Sequence, residues 1–336
     1  MVLVTGATGL LGRVLVLDLL KQGRTVRATK RHTSNLDDVR KSFRFYTNQP
    51  DFYFNQIEWV EVDFEDQDRL QEVLQGVTEV YHTAAFVSFH PKYKRLMYRS
   101  NIQGTRNLLY ACEQSTVQKF CFISSMSVLD GANEQGFITE DSNYNPKEAH
   151  SAYASSKHFS EMEVWRASAE GMQTVIVNPG VIIGSGNWQS SSGTLFDRLR
   201  KMPLVPPGSV TYVDVRDVSR ICIELMNQND SGERYILVSE TVPFPEVAAL
   251  VRTCIGKKPA GILPKWVLYA GYILNLLLGW LIPALRMLNK VNLESITGTR
   301  IVSNVKIRER LNTSFIPVRE SLEFHLNNYL SDHPEL

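Results

Sequence analysis

The chain has almost no net charge: 36 Lys and Arg stand against 35 Asp and Glu, leaving +1 over 336 residues, and no basic block interrupts the balance. A partner recognised through its phosphate backbone needs a concentrated positive footprint, so nucleic acid is not expected as a partner. Cysteine is scarce. Cys112, Cys121, Cys222 and Cys254 form no CxxC pair, and no His/Cys cluster has metal-ligand spacing, which excludes a zinc scaffold and argues against a disulfide framework. These thiols read as reduced and buried in a cytoplasmic protein. The start of the chain lacks a charged region followed by an apolar run and cleavage site, so no secretory signal is expected. Internal repeats are also absent.

What is present is the composition of a globular chain, 43% hydrophobic and 21% charged, long enough to bury a large core. Val2–Thr5 reads as an apolar strand and residues 6–12 as a glycine turn. Leu10, Leu11, Val14, Leu15 and Leu19 then follow helical spacing up to Gly23. Further strands are expected at Thr25–Thr29, Ile57–Val62, Glu79–His82, Lys119–Ile123 and Thr174–Asn178, with mostly helical segments between them. This alternation implies an α/β fold, a doubly wound parallel sheet covered on both faces. Residues 33–55 show no clear periodicity and read as a surface insertion without assigned chemistry.

The pattern changes near residue 180. Gly184–Gly193 has the Gly/Ser composition of a flexible loop able to close over a substrate. A helix at Leu195–Lys201, a strand at Val210–Val213 and a largely helical last third follow. The expected division is a dinucleotide-binding Rossmann domain at 1–180, with about 211–240 returning to it, and a smaller, mostly helical C-terminal substrate domain from 181–210 and 241–330. Trp266–Leu285 is twenty residues without a charge, flanked by Lys265 and Arg286. Its length alone would permit a membrane span, but Gly271, Asn275, Gly279 and Pro283 interrupt it. One or two buried helices are the favoured reading, with shallow peripheral membrane contact the alternative.

Three patterns carry chemistry. Gly6-Ala-Thr-Gly9-Leu-Leu-Gly12 is GxxGxxG after a strand and opening a helix, where glycines allow close backbone approach to a pyrophosphate and the helix N-terminus faces the phosphates. Lys30 and Arg31 end the second strand, where an NAD-binding chain would carry an acidic residue for the ribose. Cations there suit a 2′-phosphate, so NADP is expected, with NAD possible. Asp63 follows the third strand and could hold the adenine amino group or simply cap the next helix. Tyr153 and Lys157 are four apart and share a helical face. A cation beside the phenol would lower its pKa towards the range useful for general acid-base work.

GxxGxxG, His82-Thr-Ala-Ala85, Asn101-Ile-Gln-Gly-Thr105, Ser124-Ser125, Tyr153-x-x-x-Lys157 and Asn178-Pro-Gly180 occur in an order and spacing that resembles the extended short-chain dehydrogenases/reductases. Within that superfamily the pattern is similar to dihydroflavonol 4-reductases and 3β-hydroxysteroid dehydrogenase-like proteins. The resemblance implies Tyr153 as general acid or base, Lys157 lowering its pKa and bonding the nicotinamide ribose, Ser125 donating to the substrate oxygen, and Asn101 holding helix geometry or a water. It implies a cofactor path through Gly6, Thr8, Gly9, Leu10, Leu11, Gly12, Lys30, Arg31, Asp63, Phe64, Thr83, Ala84, Ala85, Ser124, Pro179, Gly180 and Val181. A homodimer through the Asn101 and Tyr153 helices is implied as well.

This chain departs from the family at Val128-Leu-Asp130-Gly131, Asn178-Pro179 and Ile183-Gly-Ser-Gly186. Substrate walls are expected from Phe86, Ser88 and Phe89, from Met126 to Asp130, and from Trp188. That lining is apolar and aromatic, suited to a hydrophobic carbonyl or alcohol. The expected activity is NADP(H)-dependent reduction of a carbonyl or oxidation of a secondary alcohol, without a metal. A nucleotide-sugar epimerase or dehydratase retaining its NAD(P) is one alternative, and a non-catalytic dinucleotide-sensing protein another.

Overall fold

The computed structural model describes every residue except Phe89, Ser190, Asn229, Pro283, Ala284, Met287 and Leu336, and of the remainder every side chain except those of Pro91 and Ser191. The wall residue Phe89 and Pro283 of the apolar run therefore lie outside the described residues. The strands are β1 Val2–Thr5, β2 Val26–Lys30, β3 Glu58–Glu61, β4 Glu79–His82, β5 Lys119–Ile123, β6 Gln173–Pro179, β7 Val181–Ile183, β8 Leu204–Val205, β9 Ser209–Asp214, β10 Glu233–Leu237, β11 Glu240–Pro243 and β12 Gly261–Ile262. The α-helices are α1 Leu10–Lys21, α2 Leu36–Ser42, α3 Pro50–Phe54, α4 Gln67–Val73, α5 Lys94–Met97, α6 Gly104–Glu113, α7 Ala152–Ala169, α8 Leu195–Lys201, α9 Val215–Asn227, α10 Phe244–Cys254, α11 Lys265–Leu278, α12 Lys290–Thr297, α13 Val305–Leu311 and α14 Val318–Asp332.

Seven strands pair in the order β10-β6-β5-β4-β1-β2-β3, all parallel. Alternation along each strand divides the core. Val2 and Val4 join Leu15, Val177 and Ile221 on one face, while Leu3 joins Val80, Leu108, Phe122 and Ile176 on the other. This is the doubly wound fold expected, and the order reverses between β1 and β4. In such sheets the crevice at that switch point, beyond the carboxyl ends of the strands, is where ligands bind.

The chain then builds a second sheet, β11-β9-β7, over a core of Ile183, Phe196, Tyr212, Val247, Leu322 and Tyr329. β9 belongs to this sheet, whereas α9 packs on α1 and β10 closes the edge of the large sheet. The 33–55 segment is more than a surface insertion: Val39 and Phe43 are buried in the main core, and Phe43 meets Phe54 edge to face at 6.2 Å.

Two further expectations are corrected. Three cysteines are buried, but Cys254 is exposed. The apolar run is not buried either: α11 takes Lys265–Leu278 and its only buried residue is Leu268. Its inner face is occupied by Leu288, which leans on Gly271, and its outer residues Trp266, Tyr269, Ile273 and Leu277 are exposed.

Gly12 lets α1 lie against the turn, because a Cβ there would run into the carbonyl oxygen of Gly6. Gly12→Ala is expected to cost about 1–3 kcal/mol of stability, the range for forced overpacking, measured by denaturant unfolding.

Candidate active site

The glycine turn sits at the end of β1. Gly6 has φ +66°, and a Cβ there would stand 2.6 Å from the Ala84 nitrogen, so only glycine allows the β1 and β4 ends to approach this closely. Gly9 caps α1 without a side-chain hydrogen bond, and no acidic residue lies in the first turn. Helix amides at Leu10, Leu11 and Gly12 are thus left for an anion at the positive end of the helix dipole. These residues fit the pyrophosphate of a dinucleotide.

Across the crevice, Thr83 Oγ1 donates to the Thr5 carbonyl at 2.7 Å. His82 lies between the hydroxyls of Thr5 (2.6 Å) and Thr105 (3.0 Å). Burial pushes its imidazole down to about 3, so it is a neutral packing residue. Phe64 meets it edge on at 5.7 Å. At the end of β2, Lys30 pairs with Glu61 at 3.5 Å, and Arg31 is exposed beside the turn closed by its own amide on Ser34 Oγ at 3.0 Å. Asp63 is exposed and accepts from the Glu65 amide at 3.1 Å. Asp66, not Asp63, caps the following helix.

The chemistry-bearing side chains gather past β5. Ser125 Oγ accepts from the backbone and hydroxyl of Ser127 at 3.2 and 3.0 Å. Its hydroxyl also interacts with the Tyr153 phenol and lowers the phenol's pKa. Tyr153 lies in the first turn of α7, whose N-cap Ser151 accepts from the Ala154 amide. One turn on, Lys157 Nζ donates to the Ile123 carbonyl at 2.5 Å and stands 4.1 Å over the Phe122 ring.

Burial dominates the electrostatics. It raises the Tyr153 pKa against the lowering effect of the Ser125 bond, and it pushes Lys157 down to about 7 while Glu161 pulls it up. The expected lowering of the phenol by Lys157 is therefore not what this arrangement produces. The ammonium is directed at Ile123 and Phe122, and desolvation outweighs it.

Sequence reasoning missed Glu161, although it follows Lys157 by one turn on the same face. Asn178 Nδ2 donates to Glu161 Oε1 at 2.8 Å and to the Ser125 carbonyl at 3.0 Å, and Arg234 approaches Glu161 at 3.4 Å. Asn178, first seen only as a departure from the family pattern, thus ties the serine's backbone to the lysine's helix. Asn101 is structural in its contacts. Its carboxamide holds both the N–H and the carbonyl of Phe86 (2.7 and 3.0 Å) and donates to Ser156 Oγ at 3.0 Å, from within a π-helical turn at Tyr98–Gln103.

Of the expected substrate walls, Phe86 packs edge on to Tyr93 at 5.6 Å and Ser88 accepts from the His90 amide at 3.2 Å. Met126 is buried beside Val128 and Leu129. Asp130 turns inward, bonded to His150 Nε2 at 2.6 Å and to the Asn145 amide at 2.9 Å. Tyr144 stacks between His150 and His158, 4.0 Å from each, and its hydroxyl lies 3.0 Å from Ser155 Oγ. Asp130 therefore braces the N-terminus of the Tyr153 helix instead of presenting its carboxylate to a substrate. The ring of Trp188 packs on Phe45, Phe196, Tyr329 and His333, and its N–H donates to Asp332 at 2.7 Å.

The Gly184–Gly193 segment is tethered where a flexible loop was expected. The buried Arg13 donates to the Gly186 carbonyl at 2.6 Å, and the Ser185 amide donates to Tyr46 Oη at 2.8 Å. Ser185 Oγ lies 2.6 Å from His325 Nδ1, and His325 Nε2 lies 3.2 Å from Asp214. That contact sequence resembles a charge relay, but all three side chains are fully buried, and Asn328 also donates to Ser185. It is a structural tether.

The model of the NAD dependent epimerase/dehydratase family matches residues 2–238. The chain belongs to this family. Among family relatives, it is 32% identical over 273 residues to a candidate dihydroflavonol 4-reductase from Synechocystis sp., covering 79% of this chain and 75% of that protein. It is 32% identical over 244 residues to sterol demethylase protein B of Methylococcus capsulatus, covering 71% and 69%. The crystal structure of gox2253 superposes with a TM-score of 0.83 at 25% identity, covering 100% of this chain and 99% of that one.

Because Glu161 raises the Lys157 pKa, Glu161→Gln is expected to move the basic limb of the turnover pH profile to lower pH. Each unit of displacement is about a tenfold loss on that limb. A profile of unchanged shape with reduced amplitude would mark Glu161 as merely structural.

Proposed function

We propose that the protein is an NADP(H)-dependent oxidoreductase that reduces a carbonyl, or oxidises a secondary alcohol, of a small hydrophobic substrate in the cytoplasm. The observation that carries this reading is Tyr153 and Lys157 one turn apart on α7, with Lys157 anchored on the Ile123 carbonyl at the end of β5 next to Ser125, and the glycine turn at the switch point. When bound, the dinucleotide supplies or takes up the hydride.

The chain's own groups do the rest. Tyr153 gives the proton to the nascent alkoxide in reduction and removes it in oxidation. Burial keeps the phenol protonated, so it holds the proton that reduction requires. Ser125, fixed by Ser127 and by Asn178 on its carbonyl, orients the reacting oxygen. Lys157, with a pKa near 7, holds a cation whose charge responds to small changes around it. Exposed Arg31 at the end of β2 is the group for a 2′-phosphate. Lys30 is partly engaged by Glu61 and contributes less.

The names of the Synechocystis and Methylococcus relatives support action on polycyclic, largely apolar molecules. Tyr110, Phe159 and Met162, exposed on α6 and α7, support a homodimer through those helices.

A screen of ketosteroids, flavanonols, aldehydes and sugar nucleotides tests the reading. NADPH oxidised in step with a hydrophobic ketone bears it out, while cofactor retained through turnover of a sugar nucleotide, with no net oxidation, overturns it. Tyr153→Phe is expected to lower kcat by about 10²–10⁴-fold, the usual contribution of a positioned acid-base group, with NADPH affinity by fluorescence titration changed only a few-fold. Arg31→Ala is expected to weaken NADPH about tenfold or more, as loss of a charge-assisted bond implies, and NADH hardly at all. Equal losses for both cofactors would remove Arg31 from the 2′-phosphate site.

A further inference from the structure

Helix α11 is built inside out. Its inward positions, Leu268, Gly271, Tyr272 and Asn275, include its smallest residue and its amide, and Asn275 Nδ2 donates to the Leu288 carbonyl at 3.3 Å. Its outward stripe is entirely apolar: Trp266, Tyr269, Ile273 and Leu277, continued by Trp280, are 72%, 51%, 56%, 64% and 76% exposed. A helix facing water carries the opposite pattern. Leu276 and Leu281 widen the stripe, so the surface is a contiguous apolar face rather than scattered residues.

Along the chain, the charges that flank it have one sign. Between Glu246 and Glu294 the chain holds Arg252, Lys257, Lys258, Lys265, Arg286 and Lys290 and no Asp or Glu. Glu294 itself faces Lys290 at 3.8 Å. Lys257, Lys258 and Lys265 are exposed just before the helix, and Arg286 folds back on the Gly279 and Trp280 carbonyls at 2.7 and 3.1 Å, closing its other end. Fourteen residues make a helix of about 21 Å, short of the roughly 30 Å hydrocarbon core, and among the described residues no helix is long and apolar enough to cross a membrane.

We propose that α11 docks the protein in-plane on an anionic lipid surface, with the Trp266–Trp280 stripe entering the headgroup boundary and Lys257, Lys258 and Lys265 meeting the lipid charge. Tryptophans at both ends of an apolar stripe suit that boundary, where an amphipathic ring has its apolar body in lipid and its N–H in water. Basic residues beside it add attraction that salt screens. A protein partner would equally cover an apolar face, but it would not require cations flanking the stripe along a stretch of chain, from Glu246 to Glu294, that holds no acid between those two. The inference is independent of the reaction assigned to Tyr153.

The test is co-sedimentation of the full chain with phosphatidylcholine vesicles with and without phosphatidylglycerol, alongside tryptophan emission. The expected result is pelleting with phosphatidylglycerol vesicles at low salt, a blue shift in emission, and release at high salt. Ile273→Glu with Leu277→Glu should lower bound protein at least about tenfold, as charges placed in an interfacial apolar face do. Lys257→Glu with Lys258→Glu should weaken binding to the anionic vesicles alone. Wild-type protein left in the supernatant with unshifted emission overturns the proposal, and because this readout uses no variant it stands even if a substitution disturbs folding. A solution dimer converted to monomer by the Ile273/Leu277 pair also overturns it, by assigning the face to a second copy.

Discussion

The guanidinium of Arg13 is the joint on which the cofactor end of the molecule turns. It is 2% exposed, and removing a cation from water costs several kcal/mol unless its donors are met. Here they are: Nη1 donates to Gly186, Nη2 to the Thr8 carbonyl (2.7 Å) and Asp38 (3.1 Å), and Nε to the Gly9 carbonyl (3.2 Å). Three separate pieces of chain are thereby held at one point. The glycine turn takes its shape from beneath, the 33–55 segment is drawn in through Asp38, and the Gly/Ser segment after β7 is fastened at Gly186. Desolvation lowers the Arg13 pKa, and Asp38 counteracts it, so the charge persists and the joint stays strong.

The second lobe answers with its own buried polar set around Asp214. Burial raises that carboxyl, but Arg216 and His325 hold it well below the carboxylate range. Ser321 donates to it at 2.7 Å. Since His325 also reaches Ser185, one residue before Gly186 comes a contact that carries α14 and β9 to the place Arg13 anchors from the other side. A Gly/Ser stretch that composition describes as a flexible loop is thus held between the Arg13 and Asp214 networks. Composition reports the backbone's intrinsic freedom; it carries no information about partners more than a hundred residues away.

That difference separates what could be read in advance from what could not. β1, β4 and β5 have the bounds their apolar runs imply, because a strand buried on both faces announces itself locally. Spacing puts Tyr153 and Lys157 on one helical face, but the order of the other motifs is what makes them, like Ser125, candidates for chemistry. Arg13, Glu161 and Asn178 were not legible, since a charged or amide residue in a helix or strand defaults to solvent unless its tertiary partners are known. Asp130 and Trp188 show the converse. Each looked like a pocket residue by position, and each is claimed by a neighbour, His150 or Asp332, that position does not reveal.

The same logic explains why the apolar run was misjudged in one respect and informative in another. Twenty uncharged residues suggest burial when only hydrophobicity is weighed, and the interruptions at Gly271 and Asn275 look like breaks in a core helix. In the fold these two residues are the inward ones, where Leu288 needs a gap and an amide partner. The polar and small positions therefore define the side facing protein, and the uninterrupted side is left to the surroundings. A net charge of +1 conceals the arrangement, because acids elsewhere offset a segment that has none. What governs this face is local charge beside local apolarity, and both are set by some fifty consecutive residues whose outward pattern would be costly in water alone.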